Sequence, residues 1–104
     1  MIIDPLNLSQ SLIKCPSVTP DNGGSFNVLQ EVLTKIGFQC EQVCFSAKDT
    51  PDVTNLYARY GDAQPNFCFA CHTDVVPVGN AEAWTVDPFG GQIVEGMLCG
   101  RGTA

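Results

Sequence analysis

The sequence predicts a small α/β fold, in which a mixed sheet is flanked by two helices from the early part of the chain. Apolar side chains recur at helical spacing in two stretches before residue 40, and alternate with period two further on. A continuous apolar run at Phe67–Cys71 is typical of a central strand covered on both faces. With 44% hydrophobic and 15% charged residues, the 104-residue chain has the composition of one packed domain and not of a disordered segment.

The first helix is predicted to begin at Asp4-Pro5. Aspartate is a favoured N-cap, and proline suits the first helical position because its missing N–H has no partner there in any case. Pro16 ends the helix. The stretch Cys15–Gly24 is rich in proline, glycine, serine and asparagine, and is predicted to be a loop.

The second helix has one clear apolar face and ends at Gly37. Glycine is favoured just past a helix because it adopts a left-handed conformation without steric cost. The apolar positions are Val28, Leu29, Val32, Leu33 and Ile36.

Strands are predicted over Phe38–Phe45 and Thr54–Tyr60, where apolar and polar residues alternate. A hairpin loop should join the second of these to the Phe67–Cys71 strand. Near the end of the chain, Gln92–Val94 and Met97–Cys99 are predicted to form a second hairpin.

Charge and composition exclude several classes of function. The formal charge of −6 and the lack of a Lys/Arg cluster argue against binding to nucleic acid or to an anionic membrane. The first residues resemble no secretory signal, and no apolar run approaches the roughly 20 residues of a membrane-spanning helix. We therefore expect a cytoplasmic protein whose six cysteines are reduced, with Cys40, Cys68 and Cys99 buried as small apolar side chains.

The only histidine, His72, supports two chemical interpretations. Cys68-x-x-Cys71-His72 matches the attachment pattern of c-type haem, with Met97 as a second axial ligand, but that chemistry belongs to exported proteins. A redox pair of Cys68 and Cys71 is disfavoured because a strand points the two thiols to opposite faces. The second interpretation is a metal site at the end of the strand, where His72 and Asp74 project to the same side. The plainer alternative is a hydrogen-bonded histidine at a strand end.

The sequence as a whole resembles the M20-type dinuclear zinc amidohydrolases. The motifs occur in order over almost the whole chain. They are Pro16–Gly24, Gly37-Phe38, Asn55–Ala58, Phe69–Pro77, Trp84, Asp87–Phe89, Gly96–Leu98 and Gly100–Ala104. The residues at 75–77 and 100–102 are most similar to those of family members that hydrolyse N-succinyl amino acids.

The resemblance implies that His72 binds one of two divalent metal ions, zinc or possibly cobalt, and that Asp74 orients this histidine. It also implies a small N-succinyl amino acid substrate, a homodimer, and a place in diaminopimelate and lysine biosynthesis. Acetylornithine deacetylase or a related aminoacylase is the alternative within the family. Cys71 departs from the pattern, since the family usually has glycine there.

The resemblance further implies that residues 1–104 are the amino-terminal part of a single metallohydrolase catalytic domain, of zinc-peptidase-like fold. The bridging aspartate would follow Ala104, and the general-base glutamate, the other ligands and the lid and dimerisation domain would come later. We therefore expect the 104 residues alone to be inactive and prone to aggregate. A non-enzymatic interaction fragment is a third interpretation, which only the short length favours.

Overall fold

The computed structural model describes residues 2–104, which form a small α/β arrangement. In chain order the elements are helix α1 (Pro5–Ile13), helix α2 (Ser25–Lys35), strand β1 (Gln39–Phe45), strand β2 (Val53–Arg59), a short 3-10 helix (Ala81–Ala83), and strands β3 (Ile93–Val94) and β4 (Met97–Leu98). Both predicted helices and the strands at β1, β2, β3 and β4 are confirmed, with ends shifted by one to three residues.

The helix ends follow the predicted capping chemistry. At the start of α1, the Asp4 carboxylate accepts a hydrogen bond from the Leu6 amide at 2.9 Å. At the end of α2, Gly37 has a φ of 103°, and the amides of Gly37 and Phe38 donate back to carbonyls of the last helical turn. This is a Schellman motif, so local sequence accounts for both boundaries.

Strands β1 and β2 pair in antiparallel register, with Cys40 opposite Ala58 and Gln42 opposite Leu56. Helix α2 packs against this pair. The Gln42 side-chain amide donates to the side-chain oxygens of Asn27 and Gln30 on α2, at 3.0 and 2.9 Å. The interface between α2 and the sheet therefore contains polar as well as apolar contacts.

The second hairpin joins β3 to β4 through Glu95-Gly96. Both turn residues have positive φ, at 52° and 77°. Positive φ at both central residues defines a type I′ turn, whose twist matches that of the paired strands. The predicted hairpin is confirmed.

The prediction of a central strand at Phe67–Cys71 is wrong. No residue of this segment pairs with a strand, and the Phe67 and Phe69 side chains are 81% and 86% exposed. Its apolar composition is suited to burial, but a strand also needs a neighbour, and β2 does not pair with it. The described residues form two separate antiparallel pairs, and their parallel pairing is a single bridge between Val18 and Val75.

The apolar side chains of the described residues are only partly buried. Among residues 2–104, no hydrophobic side chain is buried. The radius of gyration is 15.7 Å, against about 13 Å for a compact domain of this length. Within the same residues, no helix is both long enough and apolar enough to span a membrane.

The expected burial of the cysteines is also wrong. Cys68 is exposed, and Cys40 and Cys99 are only half-buried. All six thiols are free. The apolar neighbours of each cysteine in the sequence do not gather into a core around it, which explains the difference.

Candidate functional site

The His72 imidazole and the Asp74 carboxylate lie in contact. His72 Nδ1 is 3.0 Å from Asp74 Oδ1 and 3.1 Å from the Asp74 carbonyl oxygen. The two side chains meet although residues 72–74 belong to no strand. The expectation that these two groups meet is confirmed.

This contact selects which imidazole nitrogen can act as a ligand. A carboxylate beside Nδ1 favours the neutral tautomer that carries its proton on Nδ1, so the lone pair is on Nε2. The His72 side chain is 83% exposed, and that of Asp74 is 46% exposed. Nothing is packed closely around the ring, so its accessible nitrogen is free to meet a ligand from outside the chain.

His72 and Asp74 lie on the wall of an open cleft of about 680 Å³. Residues of β2 and of the segment 66–71 line the cleft, and these two segments do not pair with each other. The side chains of Phe26, Leu29 and Leu33 on α2 also line the cleft.

The described residues supply too few ligands to hold a metal ion by themselves. Within residues 2–104, no group of three or more His, Cys, Asp or Glu side chains is placed to bind one. A catalytic zinc site takes about three protein ligands. The chain thus fits one part of such a site, an oriented imidazole, and not the complete site.

Two buried serines form hydrogen bonds to Thr73, the residue between His72 and Asp74. Ser17 and Ser25 are 3% and 1% exposed. Ser17 Oγ donates to the Thr73 carbonyl at 2.8 Å, and the hydroxyls of Ser25 and Thr73 share a hydrogen bond at 3.0 Å. The sequence analysis treated residues 15–24 only as a loop and missed this role, because bonds across about 50 residues of sequence have no local pattern.

A second long-range contact fixes the chain beyond Asp74. The Arg101 guanidinium lies 5.0 Å from the centroid of the Trp84 ring, and its Nη2 donates to the Pro77 carbonyl at 3.2 Å. The Trp84 indole N–H donates to the Val78 carbonyl at 3.0 Å. Through Arg101, the Gly100–Ala104 stretch therefore contacts the segment that follows Asp74.

Curated relatives match this sequence over most or all of its length. A succinyl-diaminopimelate desuccinylase of Parvibaculum lavamentivorans is 60% identical over 97% of the chain, and one of Rhodospirillum centenum is 57% identical over 100%. The enzyme of the same name from Methylorubrum extorquens is 54% identical over 94%. The chain spans about a quarter of the length of these relatives, 26%, 27% and 26% respectively. No family model matches the sequence.

At 54–60% identity, the sequence is similar to succinyl-diaminopimelate desuccinylases over a stretch equal to about a quarter of their length. The comparisons therefore agree with the amidohydrolase resemblance and give no support to the haem interpretation of Cys68, Cys71 and His72.

Proposed function

We propose that this chain supplies part of the active site of a metal-dependent amide hydrolase. Its substrate is N-succinyl-L,L-diaminopimelate, and the products are succinate and L,L-diaminopimelate, in the route to lysine. The contact between His72 Nδ1 and Asp74 Oδ1, at 3.0 Å, is the observation that carries the proposal. The relatives' names supply the substrate.

In this proposal His72 is a metal ligand through Nε2. Asp74 holds the opposite nitrogen, which keeps the ring in one tautomer and makes Nε2 more basic. A bound zinc or cobalt ion supplies a water of lowered pKa and polarises the amide carbonyl. Asp74 thus acts on the reaction through His72.

The other parts of the site come from outside these 104 residues. The described residues contribute one imidazole, whereas a catalytic metal needs about three protein ligands. We assign residues 1–104 to a single catalytic domain of zinc-peptidase-like fold. The resemblance extends the proposal to a pair of metal ions, a glutamate as general base, a homodimer and a cytoplasmic location.

The test uses the full-length protein, in the length that its source cell makes. Three variants are compared with the wild type: His72→Ala, Asp74→Asn and, as a matched control, Asp62→Asn in an exposed turn. Bound metal is measured by elemental analysis. Succinate release is measured with N-succinyl-L,L-diaminopimelate, and acetate release is measured separately with N-acetylornithine.

We expect His72→Ala to lose metal and activity together. Asp74→Asn should lose on the order of 10- to 100-fold in metal affinity or turnover, as is typical when the partner of a metal-bound histidine is changed. Asp62→Asn should match the wild type. Full metal content and activity in His72→Ala would refute the assignment of this ligand, and faster release from N-acetylornithine would refute the assignment of the substrate.

A further inference from the structure

The burial of Ser17 and Ser25 is unusual because nothing apolar in the described chain is buried as deeply. Their exposures are 3% and 1%, while no hydrophobic side chain between residues 2 and 104 is classed as buried. Burying a hydroxyl costs free energy unless it finds a hydrogen-bond partner. Both hydroxyls find one on the same residue, Thr73.

Thr73 lies between the two functional side chains, so a constraint on Thr73 is a constraint on both of its neighbours. Ser17 Oγ bonds the Thr73 carbonyl at 2.8 Å, and Ser25 Oγ bonds the Thr73 hydroxyl at 3.0 Å. Two backbone bonds extend the contact. The Val75 amide donates to the Ser17 carbonyl at 2.9 Å, and the Thr19 amide donates to the Val75 carbonyl at 3.0 Å.

These bonds matter because packing does not hold His72 in place. The His72 side chain is 83% exposed, so its direction depends on Asp74 and on the backbone that carries both residues. Four hydrogen bonds to residues 73 and 75 restrict that backbone from one side. The side chains of both neighbours of Thr73 meet at this point, with His72 Nδ1 3.0 Å from Asp74 Oδ1.

The loop that presents the two serines is itself tightly closed. Gly23 has a φ of 59°, and a Cβ atom at this position would lie 2.5 Å from the Pro16 carbonyl carbon. The Asp21 carboxylate accepts from the Gly23 amide at 3.1 Å, and the Ser25 amide donates to the Asn22 carbonyl at 2.9 Å. These contacts restrict the loop that connects Ser17 to Ser25 at the start of α2.

We propose that Ser17 and Ser25 are positioning residues for the metal-binding histidine, acting through Thr73 to hold His72 and Asp74 in contact. This inference rests on the proposed function for its biological meaning. The His72–Asp74 contact depends on the serine hydroxyls whether or not metal is bound, so this dependence can be tested in metal-free protein.

The test compares Ser17→Ala, Ser25→Ala, Thr73→Val and Thr73→Ser in the full-length, metal-free protein. Thr73→Val keeps the shape of the side chain and removes its hydroxyl, whereas Thr73→Ser keeps the hydroxyl. Ser11→Ala is the matched control, because the Ser11 hydroxyl bonds only the Asn7 carbonyl within α1. Hydrogen exchange of residues 72–76 is followed by mass spectrometry, and the tautomer of His72 by ¹H–¹⁵N correlation at one fixed pH.

We expect exchange in 72–76 to be about fivefold faster in Ser17→Ala, Ser25→Ala and Thr73→Val, as the loss of one hydrogen bond of ordinary strength implies. The same variants should lower the fraction of His72 with its proton on Nδ1. Thr73→Ser and Ser11→Ala should match the wild type in both measurements. The tautomer is the readout that a merely structural role would leave unchanged.

Wild-type exchange and tautomer in Thr73→Val would overturn the proposal, and so would faster exchange with an unchanged tautomer. If Ser25→Ala does not fold, the Thr73→Val and Thr73→Ser pair still decides the question. Wild-type protein that releases no succinate would count against the proposed function alone, since neither measurement here depends on activity.

Discussion

The Arg101 guanidinium stacks over the Trp84 ring at 5.0 Å, and one of its N–H groups reaches the Pro77 carbonyl. The two residues are 17 positions apart in sequence, and they join the segment after Asp74 to the end of the chain. A cation over the face of an aromatic ring contributes about 0.5–1 kcal/mol at partly exposed sites. This contact is the basis of the first prediction.

Arg101→Ala should loosen the segment that contains Pro77 and Trp84. Because Trp84 is the only tryptophan in the chain, its fluorescence reports on this site directly. We expect emission at longer wavelength and easier quenching by acrylamide, since the ring loses its cover. Arg59→Ala is the matched control, because the Arg59 side chain bonds only the nearby Gly61 carbonyl and should leave the emission unchanged.

Gly23→Ala should destabilise the loop that carries Ser17 and Ser25. A Cβ at Gly23 would clash with the backbone of Pro16, and its φ of 59° disfavours any side chain. Gly79→Ala is the matched control, since Gly79 also has positive φ, 74°, but has nothing within 4 Å of an added Cβ. We expect a cost of about 1 kcal/mol for Gly79→Ala, from the left-handed backbone alone, and a larger cost for Gly23→Ala.

Denaturant unfolding measures both costs. An equal decrease in the free energy of unfolding in the two variants would mean that the close approach of Gly23 to Pro16 does not affect stability. The fold of the loop would then depend on backbone conformation alone.

The ion pair between Glu31 and Lys35 should respond to pH in a defined direction. Lys35 Nζ donates to Glu31 Oε1 at 2.6 Å, and this hydrogen bond, with the charge of the lysine, lowers the pKa of Glu31. A carboxylate with a lowered folded-state pKa stabilises the fold above its unfolded-state pKa, and loses that contribution as the pH falls through the folded-state pKa.

We expect Lys35→Met to raise the pKa of Glu31, measured from the ¹³C shift of its carboxyl carbon against pH. Lys48→Met removes one exposed lysine elsewhere and should leave the pKa of Glu31 where it is. An unchanged titration of Glu31 in Lys35→Met would show that the pair is not formed in solution.

Cys15 should react with alkylating reagents more slowly than Cys44. Partial burial raises the pKa of the Cys15 thiol, so less thiolate is present at mildly alkaline pH. We expect iodoacetamide to modify Cys15 more slowly than the exposed Cys44, as followed by peptide mass spectrometry. The difference should disappear in denaturant, and equal rates in the native protein would contradict the burial of Cys15.

The 104-residue chain by itself should aggregate and release no succinate. Phe67 and Phe69 are 81% and 86% exposed and lie edge to face, with ring centroids 5.1 Å apart, on an unpaired extended segment. Such segments pair readily with other chains. We expect Phe69→Lys to reduce aggregation, measured by light scattering.

Ile2→Lys is the control for added charge, because Ile2 is 99% exposed and lies outside that segment. An equal effect of the two substitutions would mean that charge, and not the exposed phenylalanines, governs solubility. Detectable turnover by the isolated chain would contradict the need for ligands from outside it.

The local features of this protein could be predicted from sequence because their causes are local. The caps at Asp4 and Gly37 act within a few residues, and the Glu95-Gly96 turn depends on backbone conformation at two adjacent positions. The contact between His72 and Asp74 was also predicted, from their two-residue spacing, although these residues belong to no strand.

Only the tertiary structure decided the features that depend on which segments meet. The Phe67–Cys71 segment has the composition of a central strand, yet composition does not supply a pairing partner, and β2 does not pair with it. Likewise, Ser17 and Ser25 reach Thr73 across 56 and 48 residues. Secondary structure follows from short-range sterics and hydrogen bonding, whereas the support of the His72–Asp74 site follows from which loops meet in space.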